Sequence, residues 1–348
     1  MPLTLSYCPY RLRFTHPFGT AHGLRDGTDS VIIRAEQDGY IGYGEVTLPP
    51  YLHEQVPQVL ERLRSFHQPA HHTAAGLLVA LDELVDPGRH PGLRAGLHCA
   101  LLDVLGRIAG RTVRDLMGIA AVREPVTLVT LGIGPVETLG QKLTGLPLSG
   151  ALKVKLGDAG SVKRIQAITS LDNRMLFLDG NQGASSVDEA LGWIRAAGKD
   201  RVLGVEQPFS VERDPWNLEL AEHGGVTVYA DESVQDLDDL QVRSRFFGGV
   251  NLKLMKCGGL DRALVMADEA ARAGSDLMLG SMSESSLGCT AMAQLAGRAD
   301  VVDLDGPWLL ANDPFTGITM QDGRLILPDG PGFGTTLRAP LDFSPIGA

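Results

Sequence analysis

The feature that most constrains this chain is a series of short, apolar, β-branched runs between about residues 125 and 305. They are 126–132 (Val-Thr-Leu-Val-Thr-Leu-Gly), 151–156 (Ala-Leu-Lys-Val-Lys-Leu), 175–179 (Met-Leu-Phe-Leu-Asp), 202–206 (Val-Leu-Gly-Val-Glu), 226–231 (Val-Thr-Val-Tyr-Ala-Asp), 249–254 (Gly-Val-Asn-Leu-Lys-Leu), 276–280 and 300–305. Most of the gaps, such as 161–170 and 260–273, are long enough for a helix. Buried strands alternating with helices predict a parallel sheet, and eight such strands can close a barrel. A repeat of roughly 22–27 residues fits that α/β barrel better than an open, doubly wound sheet.

The stretch before the series reads differently. Residues 3–14 and 30–46 carry strand-like runs, and the Gly-rich polar segment 18–29 between them predicts either a surface loop, where binding residues often sit, or a plain hairpin. Helical periodicity follows at 51–66, 74–85 and 92–109, strongest in the last, where Leu93, Leu97, Ala100, Leu101, Val104, Leu105 and Ile108 share a broad face. Strands followed by helices indicate a small α+β domain. The expected organisation is an α+β domain at 1–122, the barrel at 123–320 and a tail at 321–348.

Composition narrows the function. A net charge of −11 with scattered basic residues argues against nucleic acid as the main partner. No apolar run approaches the roughly 18 residues of a membrane span, and the first residues lack a signal-peptide core. Cys8, Cys99, Cys257 and Cys289 fit no zinc spacing, so a reduced, cytoplasmic chain is expected. A homo-oligomer is compatible with the sequence, which does not report an oligomeric state. Gly132-Ile-Gly134-Pro135 lacks the full nucleotide-binding pattern and reads as a turn, and His71-His72 reads as a solvated pair.

The chemistry lies at the strand ends, where barrel enzymes build their sites. Lys153 and Lys155 fall on the same face of their strand. A strand end reaching solvent would leave them hydrated; inside a barrel, burial and like charge would push a lysine pKa down towards the range of a base. The next three strands end in Asp179, Glu206 and Asp231, and the sixth carries Lys253. Single carboxylates can cap the following helices, but Glu206 precedes Gln-Pro, a poor cap context. Three hard oxygen ligands converging at a barrel mouth suit Mg²⁺. A carbon acid held between Lys155 and Lys253 could lose a proton to one and regain it from the other, with the metal stabilising an enediolate. Asp303 and Asp305, two residues apart, face one side and call for a cation. A neighbouring Arg or Lys could supply it, and so could a substrate ammonium.

Lys153-Val-Lys155, Asp179-Gly-Asn-Gln-Gly, Val-Glu206-Gln-Pro, Ala-Asp231-Glu-Ser and Asn-Leu-Lys253-Leu-Met-Lys-Cys-Gly-Gly together resemble the enolase superfamily, in its muconate-lactonizing subgroup. The resemblance implies a capping domain, a modified (β/α)7β barrel of the TIM type, and a tail that returns to the cap. Asp303-Leu-Asp305-Gly-Pro resembles the signature with which dipeptide epimerases hold the free ammonium of their substrate. The implied activity is Mg²⁺-dependent inversion of the α-carbon of the second residue of a dipeptide. Lys155 and Lys253 would be acid and base; Asp179, Glu206 and Asp231 the metal ligands. Lys153, Thr130, Ser281, Met282 and Glu284 are expected to touch substrate, with Asn181 and Lys256 behind the metal ligands. The 18–29 segment resembles the family's cap loop, where Arg25 could pair with an acidic side chain. The competing readings are an N-acylamino acid racemase, o-succinylbenzoate synthase or cycloisomerase, whose substrates lack the ammonium, and a non-catalytic relative that has lost part of the set.

Overall fold

A computed structural model describes residues 2–20, 23–66, 73–120 and 124–347, with the side chains of Phe18 and Thr20 left aside. His71-His72, residues 21–22 of the 18–29 segment and the expected boundary at 122/123 lie outside the described residues.

The chain begins with an antiparallel sheet of β1 (Thr4–Thr20), β2 (Gly23–Gln37) and β3 (Tyr40–Thr47). Asp38 and Gly39, both at positive φ (54° and 82°), make the tight turn between β2 and β3. Of the two readings of the 18–29 segment, the loop fails and the hairpin holds among the described residues. The segment is the far end of a long hairpin, with Leu12 opposite Thr28, Arg13 opposite Gly27 and Gly19 opposite Leu24, and the register shifts between Arg13 and Phe18. Polar, Gly-rich composition left both open because a two-stranded arm needs no apolar face of its own. Its backbone is instead bonded to the barrel, with Ile133 N–H donating to Gly19 O at 2.8 Å.

Helices α1 (Val56–Arg64), α2 (Ala74–Val79), α3 (Leu81–Leu84), α4 (Pro91–Ala109) and α5 (Val113–Leu116) follow. The first starts at Val56, not at 51: Pro57 fits only in the first turn of a helix, and the Gln55–Gln58 capping box marks the start. Helix α4 is buried on nearly every side rather than on one face. It lies between β3 and the barrel, and it approaches β3 where Gly42 and Gly44 have no side chain. A Cβ on Gly44 would come within 1.9 Å of the Gly96 carbonyl oxygen.

The eight barrel strands are β4 (Val126–Leu131), β5 (Ala151–Lys155), β6 (Met175–Asp179), β7 (Val202–Glu206), β8 (Val228–Ala230), β9 (Gly249–Leu252), β10 (Asp276–Gly280) and β11 (Val301–Asp303). They close in sequence order, β11 pairing with β4, and every pairing is parallel. The crossovers are helical: α6 (Leu139–Gly145), α7 (Ser161–Leu171), α8 (Val187–Ala197), α9 (Trp216–Gly224), α10 (Leu237–Arg243), α11 (Leu254–Cys257) with α12 (Leu260–Arg272), and α13 (Ser286–Ala293). A short helix, α14 (Gly306–Leu309), follows the last strand.

Phe177 and Tyr229, with ring centroids 5.1 Å apart, plug the barrel with Leu128, Ala151, Met278 and Val301. Gly204 and Gly249 leave room for these rings, so the charged strand ends stand on a packed floor. The C-terminal segment runs back to the first sheet, where Ser344 pairs with Tyr7 and Pro345 with Ser6. The buried Asp103 carboxylate on α4 ties it down by accepting from Phe333 N–H (2.8 Å) and Tyr43 N–H (2.9 Å). No helix among the described residues is long and apolar enough to cross a membrane.

Candidate active site

The strand register brings the expected charges to one level. Lys155 lies opposite Asp179, and Asp179 opposite Glu206. Asp231 directly follows β8 and Lys253 follows β9. Thr130 lies opposite Lys153 across β4 and β5. In the closed order β4, β5 … β11, the strands of Lys155 and Lys253 are four apart either way round, so the two lysines stand on opposite sides of the mouth. One arc between them carries Asp179, Glu206 and Asp231. The other carries Ser281 and Met282 after β10, Asp303 and Asp305 on and after β11, and Thr130 on β4.

The ion pairs are short and buried. Lys153 Nζ lies 2.9 Å from Asp179 Oδ2, 2.7 Å from Glu206 Oε2 and 2.6 Å from Asp303 Oδ2. Lys155 Nζ lies 2.5 Å from Asp179 Oδ2, and Lys253 Nζ 2.6 Å from Asp231 Oδ2. Lys256 Nζ donates to Asp231 Oδ1 (2.8 Å), Asp231 O (2.7 Å) and Asn251 O (2.9 Å), which locks the end of β8 to β9.

The expected lowering of the lysine pKa is reversed at Lys153. Burial does lower the pKa of Lys153, but the charges of Asp179, Asp303 and Glu206 outweigh it and hold the ammonium well above the ordinary lysine value. Burial likewise works against Lys253, and Asp231 and Glu206 raise it overall. A buried lysine needs an anionic partner or must lose its proton, and Lys153 has three such partners within 2.9 Å.

The carboxylates divide. Burial raises Asp179, but Lys153 and Lys155 bring it to about 2. Lys253 and Lys256 pull Asp231 well below its ordinary value against the same burial. Glu206 moves the other way, up to about 7, through burial and the charge of Asp179. Its Oε2 has no hydrogen bond, although the Lys153 ammonium is near, while Oε1 accepts from Asn251 Nδ2 at 2.8 Å. Asp305 is raised to about 7 by burial and Asp303, and no cation pairs with it among the described residues. Four ammonium groups thus face five carboxylates, and the surplus shows at Glu206 and Asp305.

Are three of these oxygens a metal site? No three His, Cys, Asp or Glu side chains among the described residues form a ready cage. Lys153 bridges Asp179 and Glu206, and Lys253 and Lys256 hold Asp231. The donor set still fits a hard divalent cation: three buried carboxylates at the ends of consecutive strands, beside the unpartnered Oδ1 of Asn181. Asn181 stands at φ 41°, and its N–H donates to Asp179 Oδ1 at 3.1 Å.

A cavity of about 380 Å³ opens between the first domain and the barrel mouth. Lys153, Lys155, Lys253, Lys256, Asn181, Asp231, Ser281, Met282, Asp303, Asp305, Thr130 and Arg25 line it, while Asp179 and Glu206 lie behind the lysines. Thr130 does more than line the wall. Its N–H donates to Asp305 Oδ2 (2.6 Å) and its Oγ1 to Asp303 Oδ1 (3.2 Å), so it orients both carboxylates. Arg25 projects from the hairpin between the Phe14 and Tyr51 rings, 5.6 Å from each centroid, and pairs with no carboxylate among the described residues. Glu284 is a correction. It does not line the cavity; it is buried behind the loop, accepts from Met282 N–H, and is raised to about 8 by burial and by Glu45.

Three residues were missed. Gln207, at φ 33°, donates to Phe209 O and Ser233 Oγ and accepts from the N–H of Asp231 and Ser233, which fixes where Asp231 stands. The Glu206-Gln-Pro motif contained it, but nothing in the sequence said that its amide reaches the next strand. Asn251 lay in the Lys253 motif. Tyr51, on the cavity wall, was taken for the first residue of a helix.

Residues 148–341 match the family model described as enolase C-terminal domain-like. An L-Ala-D/L-Glu epimerase from Bacteroides thetaiotaomicron is 31% identical over 338 residues, covering 95% of this chain and 87% of that protein. A hydrophobic dipeptide epimerase from Roseobacter litoralis is 29% identical over 96% of this chain and 99% of its own. Among solved structures, a dipeptide epimerase from Enterococcus faecalis, complexed with Mg and L-Leu-L-Tyr, superposes with a TM-score of 0.87 at 27% identity, covering 97% of this chain and all of that one. With its closed parallel barrel, its charged strand ends and these likenesses, the chain belongs to the enolase superfamily, in the enolase C-terminal domain-like family.

Proposed function

We propose that this protein is a Mg²⁺-dependent dipeptide epimerase that inverts the α-carbon of the second residue. The observation that carries the reading is the division of the mouth by Lys155 and Lys253 into two unlike arcs. A dipeptide has the matching polarity: a carboxylate at one end, an ammonium at the other, and the acidic α-carbon beside the carboxylate. With its carboxylate towards the Asp179–Glu206–Asp231 arc and its ammonium towards Asp303 and Asp305, the α-carbon falls between the lysines.

Asp179, Glu206 and Asp231 would hold the metal, and Mg²⁺ when bound supplies positive charge where negative charge develops on the substrate carboxylate. One lysine, neutral, removes the α-proton from one face, and the other, as ammonium, delivers a proton to the opposite face. The roles exchange for the other stereoisomer. Lys155 and Lys253 are each paired with a carboxylate of the proposed ligand set, so ligation and lysine charge are coupled. The barrel excludes bulk water with its Phe177–Tyr229 floor, which strengthens every charge interaction above it.

Asp305 favours a free amine over the acylated substrates of the racemase and cycloisomerase readings, because it is buried and without a cation. Arg25, half-buried against two rings and pairing with no carboxylate among the described residues, supports an acidic second side chain such as that of Ala-Glu. The test is mass spectrometry of a dipeptide panel incubated with the protein and Mg²⁺ in D₂O. Deuterium uptake at one α-carbon, best with an acidic second residue and abolished by EDTA, is the expected result. No uptake from any dipeptide, with Mg²⁺ binding shown by calorimetry, would overturn the reading.

A further inference from the structure

A second cavity, of about 430 Å³, adjoins the first at Thr130 and Leu309, which line both. Its roof is the stretch 15–17, which leaves the β1–β2 ladder at the register break between Arg13 and Phe18. The strand is pinned on both sides of that break. Ala311 N–H donates to Arg13 O and Ile133 N–H to Gly19 O, each at 2.8 Å. Backbone bonds therefore hold the space open.

The lining has a definite chemistry. Leu131, Leu146 and Trp308 give it apolar walls. Lys142, half-buried on α6, brings an ammonium that pairs with no carboxylate among the described residues, and no acidic side chain lines the cavity. Thr130 stands between this space and the Asp303–Asp305 pair, bonded to both carboxylates.

We propose that this cavity receives the side chain of the first residue of the substrate, and that it prefers a carboxylate-bearing side chain to a basic one. The inference rests on the dipeptide reading. An ammonium on Asp303 and Asp305 puts the α-carbon that bears it one bond away, beside Thr130, at the junction of the two cavities. Methylene groups then lie against the apolar walls, and a terminal carboxylate meets Lys142. Alanine in the first position leaves the cavity to water.

The experiment compares kcat/KM for four L,L-dipeptides that share the best second residue found in the panel and begin with Ala, Gln, Glu or Lys. Wild-type protein is expected to favour the Glu-first over the Lys-first peptide. Lys142→Gln lowers that ratio about fivefold, the upper range for a partly exposed ion pair, and Lys142→Glu reverses the preference. A role for Lys142 in folding alone would move all four substrates together. If wild-type protein turns over the Ala-first peptide but neither variant changes the ratio, the subsite is wrong and the activity stands. If none of the four is turned over, the dipeptide reading fails and this inference fails with it.

Discussion

Lys153 touches carboxylates from three strands, and its ammonium is the hub on which the others are arranged. Asp305 is the opposite case, a buried acid without a cation, raised to about 7. Asp305→Asn keeps the shape and removes the charge. It is expected to lower kcat/KM for a free dipeptide by about 10²-fold, the equivalent of about 3 kcal/mol for a lost buried charge pair, and to leave an N-acylated analogue little changed. Equal losses on both would place the ammonium elsewhere. At this scale the candidate residues were legible because their types, single carboxylates and lysines at strand ends, stand out in an apolar barrel, and the register brings them to one level. Gln207 was not, and neither was the part Thr130 plays in orienting Asp303 and Asp305. Both position other groups through bonds across strands, and such bonds leave no local pattern. The direction of the lysine pKa was misjudged for a related reason: it depends on a sum over neighbours that only the fold assembles.

At the scale of elements, the eight barrel strands stood out because each is short, apolar and bounded, and a parallel strand buried on both faces has to be so. The 18–29 segment stayed open between loop and hairpin because its far end is held by the barrel rather than by an apolar face of its own. The start of α4 makes a further case. Glu54 accepts from Gly92 N–H (2.7 Å) and Leu93 N–H (3.4 Å), with His90 Nδ1 at 3.3 Å, yet burial raises it from 4.5 to about 7. Between those values the folded chain keeps a proton that the unfolded chain releases. This group's contribution is therefore most favourable below about pH 4.5 and is lost as pH rises to about 7, by up to about 3 kcal/mol. Glu54→Gln is expected to gain stability relative to wild type between pH 5 and pH 8, measured by denaturant unfolding. An unchanged difference between the two proteins at both pH values would show that Glu54 does not titrate as described.

Across the whole molecule, the cap and barrel are joined by charge as well as by apolar packing. Arg94 of α4 is 3% exposed and reaches Gly258 O (2.6 Å), Asp261 (2.8 Å) and Asp82 (2.5 Å). Arg94→Met is expected to cost about 2 kcal/mol, less than a fully buried pair because both aspartates are partly exposed. It should also raise KM more than it lowers kcat, since the cap supplies Arg25 and Tyr51 to the cavity while the lysines stand on the barrel. A kcat effect with KM unchanged would mean that the cap reaches the chemistry itself.

The central claim is that two lysines work from opposite faces of one carbon, and stereospecific proton exchange tests it most directly. Lys155→Ala and Lys253→Ala, incubated in D₂O with each epimer of the best dipeptide, should both lose epimerisation by about 10³-fold. Each should still exchange the α-proton of one epimer, and not the same one. Exchange of both epimers by either variant, or full epimerisation by either, would contradict the account.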